Sequence, residues 1–115
     1  FMRPLVGFDV SKDRVLYREN AQGWIENVYS LKVMNKDQHD HVYVLEAKGL
    51  PNLRLDGAKE IRVAAGDIVS LPVQLSVSPE QLPSTTNEVI FVLRDADDSG
   101  SEVEAKSRFI GPQIR

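Results

Sequence analysis

"NVYSLKVMN", residues Asn27 to Asn35, decides the fold class. Apolar side chains recur at every second position. Tyr29, Leu31 and Val33 fall on one face of an extended chain, with Ser30 and Lys32 on the other. A period of two is that of a strand half-buried on a sheet, because successive Cβ atoms leave opposite faces. The same period returns in "IVSLPVQLSV", Ile68 to Val77, which turns Val69, Leu71, Val73, Leu75 and Val77 inward and Ser70, Gln74 and Ser76 outward. Pro72 has no N–H for a ladder, so this strand is expected at an edge or a bulge.

Outward from these two stretches the pattern persists. "HVYVLEA", from His41, reads as the hairpin partner of the Asn27–Asn35 strand across a loop that holds both histidines. "EIRV", from Glu60, is a short strand closed by the glycine turn "AAGD". "SPEQLPSTT" is a loop by composition. "EVIFVL" and "VEAKSRFI" are a further pair of strands joined across "DADDSG". No segment of ten or more residues has the spacing of an amphipathic helix. About seven short strands with polar turns predict an all-β chain, an immunoglobulin-like antiparallel β-sandwich. The Cys–Trp–Cys signature of antibody domains is missing, and Trp24 precedes a strand instead of packing on a disulfide.

Composition bounds the chemistry. With 115 residues the chain is one domain by length, and such a domain buries roughly 60–70% of its unfolded surface. It contains no cysteine, which excludes disulfides, thiolate metal sites and a thiol nucleophile. A formal charge of −3 and a pI of about 5.3 argue against general nucleic-acid binding, which needs a dense basic face. No apolar run approaches the ~18 residues of a membrane helix. The first residues are Phe1-Met2, so the sequence reads as a fragment of a longer protein.

Three stretches invite a chemical reading. "DADDSG" fits the start of a calcium loop, with Asp95, Asp97, Ser99 and Gly100 at positions one, three, five and six. The twelfth position, a bidentate Glu in an EF-hand, is Lys106 here, and a strand follows where a helix is required. The stretch is a turn. "EVEAKSR" aligns Glu102, Glu104, Lys106 and Arg108 along one side of a strand, which reads as a solvated face of mixed charge and not as an acid–base pair. His39 and His41, with Asp40 between them, are the candidate metal ligands, and Asp37 could add an oxygen. Two imidazoles at i and i+2 of an extended segment project to one side, which suits copper or zinc. The set is incomplete, since structural zinc takes four protein ligands and catalytic zinc three. No nucleophile elbow, phosphate loop or metalloprotease motif occurs, so no catalytic residue is assigned and the chain reads as no enzyme.

"LYRENAQGWIENVYSLKVMNK", Leu16 to Lys36, resembles the C-terminal domain of the FixG/CcoG family. The likeness extends through "FDVSKDRVLYREN" upstream and "VYVLEAKGLPNLRL" downstream, and more loosely to "SRFIGP". The resemblance implies an immunoglobulin-like domain on a bacterial membrane protein linked to assembly of cbb3-type cytochrome oxidase. It implies a parent with membrane helices and two [4Fe–4S] clusters on cysteines, acting as an oxidoreductase or copper reductase. None of those cysteines is in this chain, which therefore carries no cofactor of its own. Residues 1–20 are then a lead-in from a membrane segment plus the first strand, and residues 10–112 the sandwich. The implied location is the periplasmic side of the inner membrane. Arg3, Lys12, Arg14 and Arg18 lie where positive charge favours the cytoplasm, but that rule weakens for long domains. The implied partners are proteins, namely oxidase subunits, assembly factors or a copper carrier. The alternatives are a weak copper-binding module through His39 and His41, and an independent adhesin-like or ligand-binding sandwich.

Overall fold

The computed structural model describes residues 5–112. Residues 1–4 of the lead-in, Arg3 among them, and residues 113–115 lie outside the described part. The described residues form nine strands: β1 Val6–Lys12, β2 Arg18–Glu19, β3 Ile25–Asn35, β4 His41–Lys48, β5 Arg54–Gly57, β6 Glu60–Val63, β7 Ile68–Val77, β8 Thr86–Asp95 and β9 Asp98–Ile110. A single turn of 3₁₀-helix, Pro79–Gln81, is the only helical element described. The strands make two antiparallel sheets. The first has the order β1-β3-β7-β5, with β2 also on β3, and the second the order β6-β4-β8-β9. The result is the all-β, immunoglobulin-like sandwich expected from the period of two.

The core lies where the two inner faces meet. Tyr29, Leu31, Val33, Val73 and Leu75 of the first sheet are fully buried against Tyr43, Leu45, Val89, Phe91, Leu93 and Phe109 of the second. Tyr29 and Phe91 meet edge to face with centroids 5.0 Å apart, the arrangement favoured by the ring quadrupoles.

Three expectations change. β3 and β4 are not a hairpin. β3 is already paired on both edges, with β1 and β7, and β4 lies in the opposite sheet. From β3 to β8 every connection crosses between the sheets. Ser76 is not outward and solvated but buried, because it lies in register between Glu26 and Arg54, and Arg54 stacks over Trp24 at 4.3 Å. Asn27 and Asn35 are both buried and both hydrogen-bond across the sandwich. β7 is not an edge strand, since it lies between β3 and β5, but Pro72 itself is spared a second neighbour. β5 pairs only with Val73–Ser76, so Pro72 sits just past its end, where β7 has a neighbour on one side alone.

Candidate functional site

The two histidines sit at one end of the sandwich, where the crossover 36–40 carries the chain from β3 to β4. Buried Asn35 shapes this crossover. Its Nδ2 donates to the carbonyls of His39 at 2.8 Å and Val63 at 3.0 Å, and its Oδ1 accepts from the Asp37 amide at 2.9 Å. Asp40 accepts from the Ala65 amide at 2.9 Å, which ties the crossover to the β6–β7 turn. The segment is therefore bent at Asp37–His39, not extended. His39 leaves 83% of its side chain exposed, with Nδ1 3.7 Å from Asp37 Oδ1.

His41 begins β4 and turns the other way. Its Nε2 is 2.7 Å from Asp37 Oδ2, and its Nδ1 is 2.7 Å from Oδ2 of Asp95, which is buried at the end of β8. The Asp37 contact is a hydrogen bond. The Asp95 contact is as short but lies outside hydrogen-bond geometry, so we assign it mainly to charge. The ring also stacks on Tyr43, centroids 5.8 Å apart. An imidazole with a carboxylate at each nitrogen is best satisfied as the cation. The hydrogen bond that His41 donates to Asp37 raises the His41 pKa above its ordinary value; partial burial opposes this, and the Asp95 charge adds to it. Asp37 is held low by the same hydrogen bond and by the Gln38 amide. Tyr43 is pushed up to about 12 by burial and by the charges of Asp95 and Asp37.

The structure thus brings together His41, Asp37 and Asp95, while His39 and Asp40 face elsewhere. Asp95 is the member that the sequence did not point to, since it lies in a stretch read only as a turn. That stretch is indeed the two-residue turn of the β8–β9 hairpin: Asp95 Oδ1 accepts from the Asp97 amide at 2.9 Å and Asp98 Oδ1 from the Gly100 amide at 3.2 Å. Among the described residues no group of three His, Asp or Glu side chains is arranged to hold a metal ion.

The outer face of the second sheet is a charge lattice. Arg94 reaches Glu46 through both terminal nitrogens, at 3.0 and 3.3 Å, and Glu102 through Nε at 3.4 Å, while Lys48 lies 3.5 Å from Glu104. Glu102, Glu104, Lys106 and Arg108 are all exposed, as a solvated face requires. Such exposed pairs contribute little to stability. The sandwich also has two lateral sides. On one, β1 and β9 pack against each other; on the other, β5 and β6 end their sheets with four residues each. No helix among the described residues is long and apolar enough to cross a membrane.

Comparison with known proteins places this architecture. No curated protein sequence shows significant similarity to the chain. A solved structure described as a FixG-related protein from Vibrio parahaemolyticus superposes with a TM-score of 0.82 at 34% identity, over 92% of this chain and 95% of that one. The family described as the "IG-like fold at C-terminal of FixG" matches residues 1–112. The chain belongs to this family of immunoglobulin-like C-terminal FixG domains.

Proposed function

We propose that the domain is a protein-docking appendage of a membrane-bound, FixG-like iron–sulfur protein that serves assembly of cbb3-type cytochrome oxidase. The parent's helices tether it on the periplasmic side of the inner membrane. The two [4Fe–4S] clusters belong to the parent, because this chain has no cysteine to ligate them. The observation that carries the reading is the family match over residues 1–112.

The geometry supports docking through the β5–β6 side. Arg54–Gly57 pairs only with β7, and Glu60–Val63 only with β4, so each edge offers unpaired backbone groups to an added strand. Edges of four residues are too short to template aggregation but long enough to set the register of one partner segment. Arg54, Asp56, Glu60 and Arg62 are exposed along them and would discriminate between partners by charge.

Deletion of the domain from the parent should weaken its co-purification with the oxidase assembly apparatus. Arg62→Pro, which removes a backbone donor from the β6 edge, should weaken it in the same direction. Recovery equal to that of the intact parent would refute the docking role.

A further inference from the structure

Between β1 and β2 the chain bulges away from the sheet. The excursion begins at Asp13, whose amide still donates to Val28 O at 2.9 Å. Its form is set by Lys12. The ammonium donates to Val15 O at 2.9 Å and Leu16 O at 2.8 Å, so the carbonyls of the bulge turn inward. The side chains are left outward: Val15 is 59% exposed, Leu16 63% and Tyr17 37%. One exposed leucine needs no explanation, but three consecutive large apolar residues on a pinned bulge form a patch.

The prong's own flanks are balanced, with Arg14 beside Asp13 and Arg18 held by Glu26 at 2.6 Å, and the cationic surface lies next to it. Lys12 also lines an open groove of about 450 Å³ beside β9, with Val10, Glu88, Lys106, Ser107 and Arg108. Three cations thus face one carboxylate there, in a chain whose formal charge is −3. Each feature fits an anionic bilayer surface. The prong is convex, the Val15 and Leu16 carbonyls are satisfied before it leaves water, and its tyrosine is of the kind that settles at the interface. The rim of arginine and lysine matches lipid phosphates.

We propose that the β1–β9 side is a membrane-contacting surface, in which Val15, Leu16 and Tyr17 enter the interfacial layer of an anionic bilayer while Arg14, Lys106 and Arg108 meet its headgroups. This goes beyond the docking reading and does not depend on it. It assigns lipid to the side opposite the β5–β6 edges.

The test is co-sedimentation of the chain with vesicles of phosphatidylcholine, with and without about one third phosphatidylglycerol. The chain should partition onto the anionic vesicles and much less onto the neutral ones. Leu16→Asp should lower that partition about tenfold or more, because it puts a charge at the buried tip. Lys106→Gln and Arg108→Gln should each lower it about fivefold on anionic vesicles only. All three positions are exposed, so urea midpoints should stay near that of the unchanged chain and separate lost binding from lost folding. No binding of the unchanged chain to anionic vesicles would overturn the proposal and leave the prong to a protein pocket. Binding indifferent to Leu16→Asp would overturn it as well.

Discussion

Asn27 and Ile110 join the two sheets by a reciprocal pair of hydrogen bonds. Asn27 Nδ2 donates to Ile110 O at 2.9 Å, and the Ile110 amide donates to Asn27 Oδ1 at 2.9 Å. Two residues further along β3, the Tyr29 hydroxyl donates to Arg108 O at 2.6 Å, and burial raises its pKa well above the ordinary phenol range. β9 pairs with β8 alone, so these side chains of β3 anchor its far end to the first sheet. In a sandwich without cysteine they tie the sheets together by hydrogen bonds where a disulfide is absent.

Asn27→Ala removes the partners of the Ile110 N–H and C=O and leaves both groups to find water. The expected loss is about 2–4 kcal/mol in urea denaturation, since each unsatisfied buried group costs roughly 1–3 kcal/mol. Tyr29→Phe, which removes one bond and keeps the ring against Phe91, should cost about 1–2 kcal/mol. Equal losses for the two variants would contradict the ranking.

Gly49 and Gly66 allow a comparison of backbone strain with steric conflict. Both have positive φ, 126° and 73°. A Cβ at Gly49 would stand 2.7 Å from Glu88 O and 3.1 Å from Val89 Cα on β8, whereas one at Gly66 would meet nothing within 4 Å. Gly66→Ala should therefore cost about 1 kcal/mol, from conformation alone. Gly49→Ala must also push two strands apart and should cost about 2 kcal/mol more. Chemical denaturation of the two variants under one condition decides it.

Much of this fold was legible because a strand period of two is written locally. Tyr29, Leu31 and Val33 announce a buried face, and the glycine turn after "EIRV" announces a reversal. What periodicity does not encode is which strand lies beside which. The crossover after Asn35 could serve a hairpin or a change of sheet, and the decision rests on β7, over thirty residues away, occupying the free edge of β3. The site was half legible for the same reason. Asp37 and His41 share one loop, but Asp95 reaches them only through the β4–β8 pairing that sets Tyr43 opposite Asp95. Ser76 was misplaced because alternation says which face a side chain takes, not whether Trp24 and Arg54 cover that face.

The His41 contacts predict a pH dependence of definite sign. The groups facing the ring are Asp37 from the crossover, Asp95 from β8 and Tyr43 from β4 itself. The folded-state pKa of His41 is raised above the ordinary 6.5, so its contribution is complete below that value and is lost as pH rises through the folded value. Asp37 is lowered, so its contribution is present above its ordinary 3.8 and lost as pH falls through the folded value. The two overlap between those ranges. The stability difference between the chain and His41→Gln should be largest near pH 5.5 and smaller near about pH 8.5. A difference constant over that interval would show that the imidazole gains nothing from its charge in the fold.

The same arrangement predicts how the crossover responds to metal. A metal ion needs a nitrogen lone pair, and each nitrogen of His41 lies close to a carboxylate, Asp37 at 2.7 Å and Asp95 at 2.7 Å. Binding there must deprotonate the ring and displace one carboxylate, with Asp95 buried and further held by the Asp97 amide. His39 is exposed and unobstructed but brings only the Asp37 carboxylate near it, at 3.7 Å. Addition of Cu(II) or Zn(II), or of Cu(I) without oxygen, should therefore perturb backbone amide resonances weakly around His39 without saturation, and His39→Ala should remove the effect. His41→Ala should leave it in place. Saturable shifts spanning Lys36–Tyr43 and abolished by His41→Ala would instead mean that the crossover rearranges around a metal, with Asp37 and Asp95 released from the imidazole to complete its ligands.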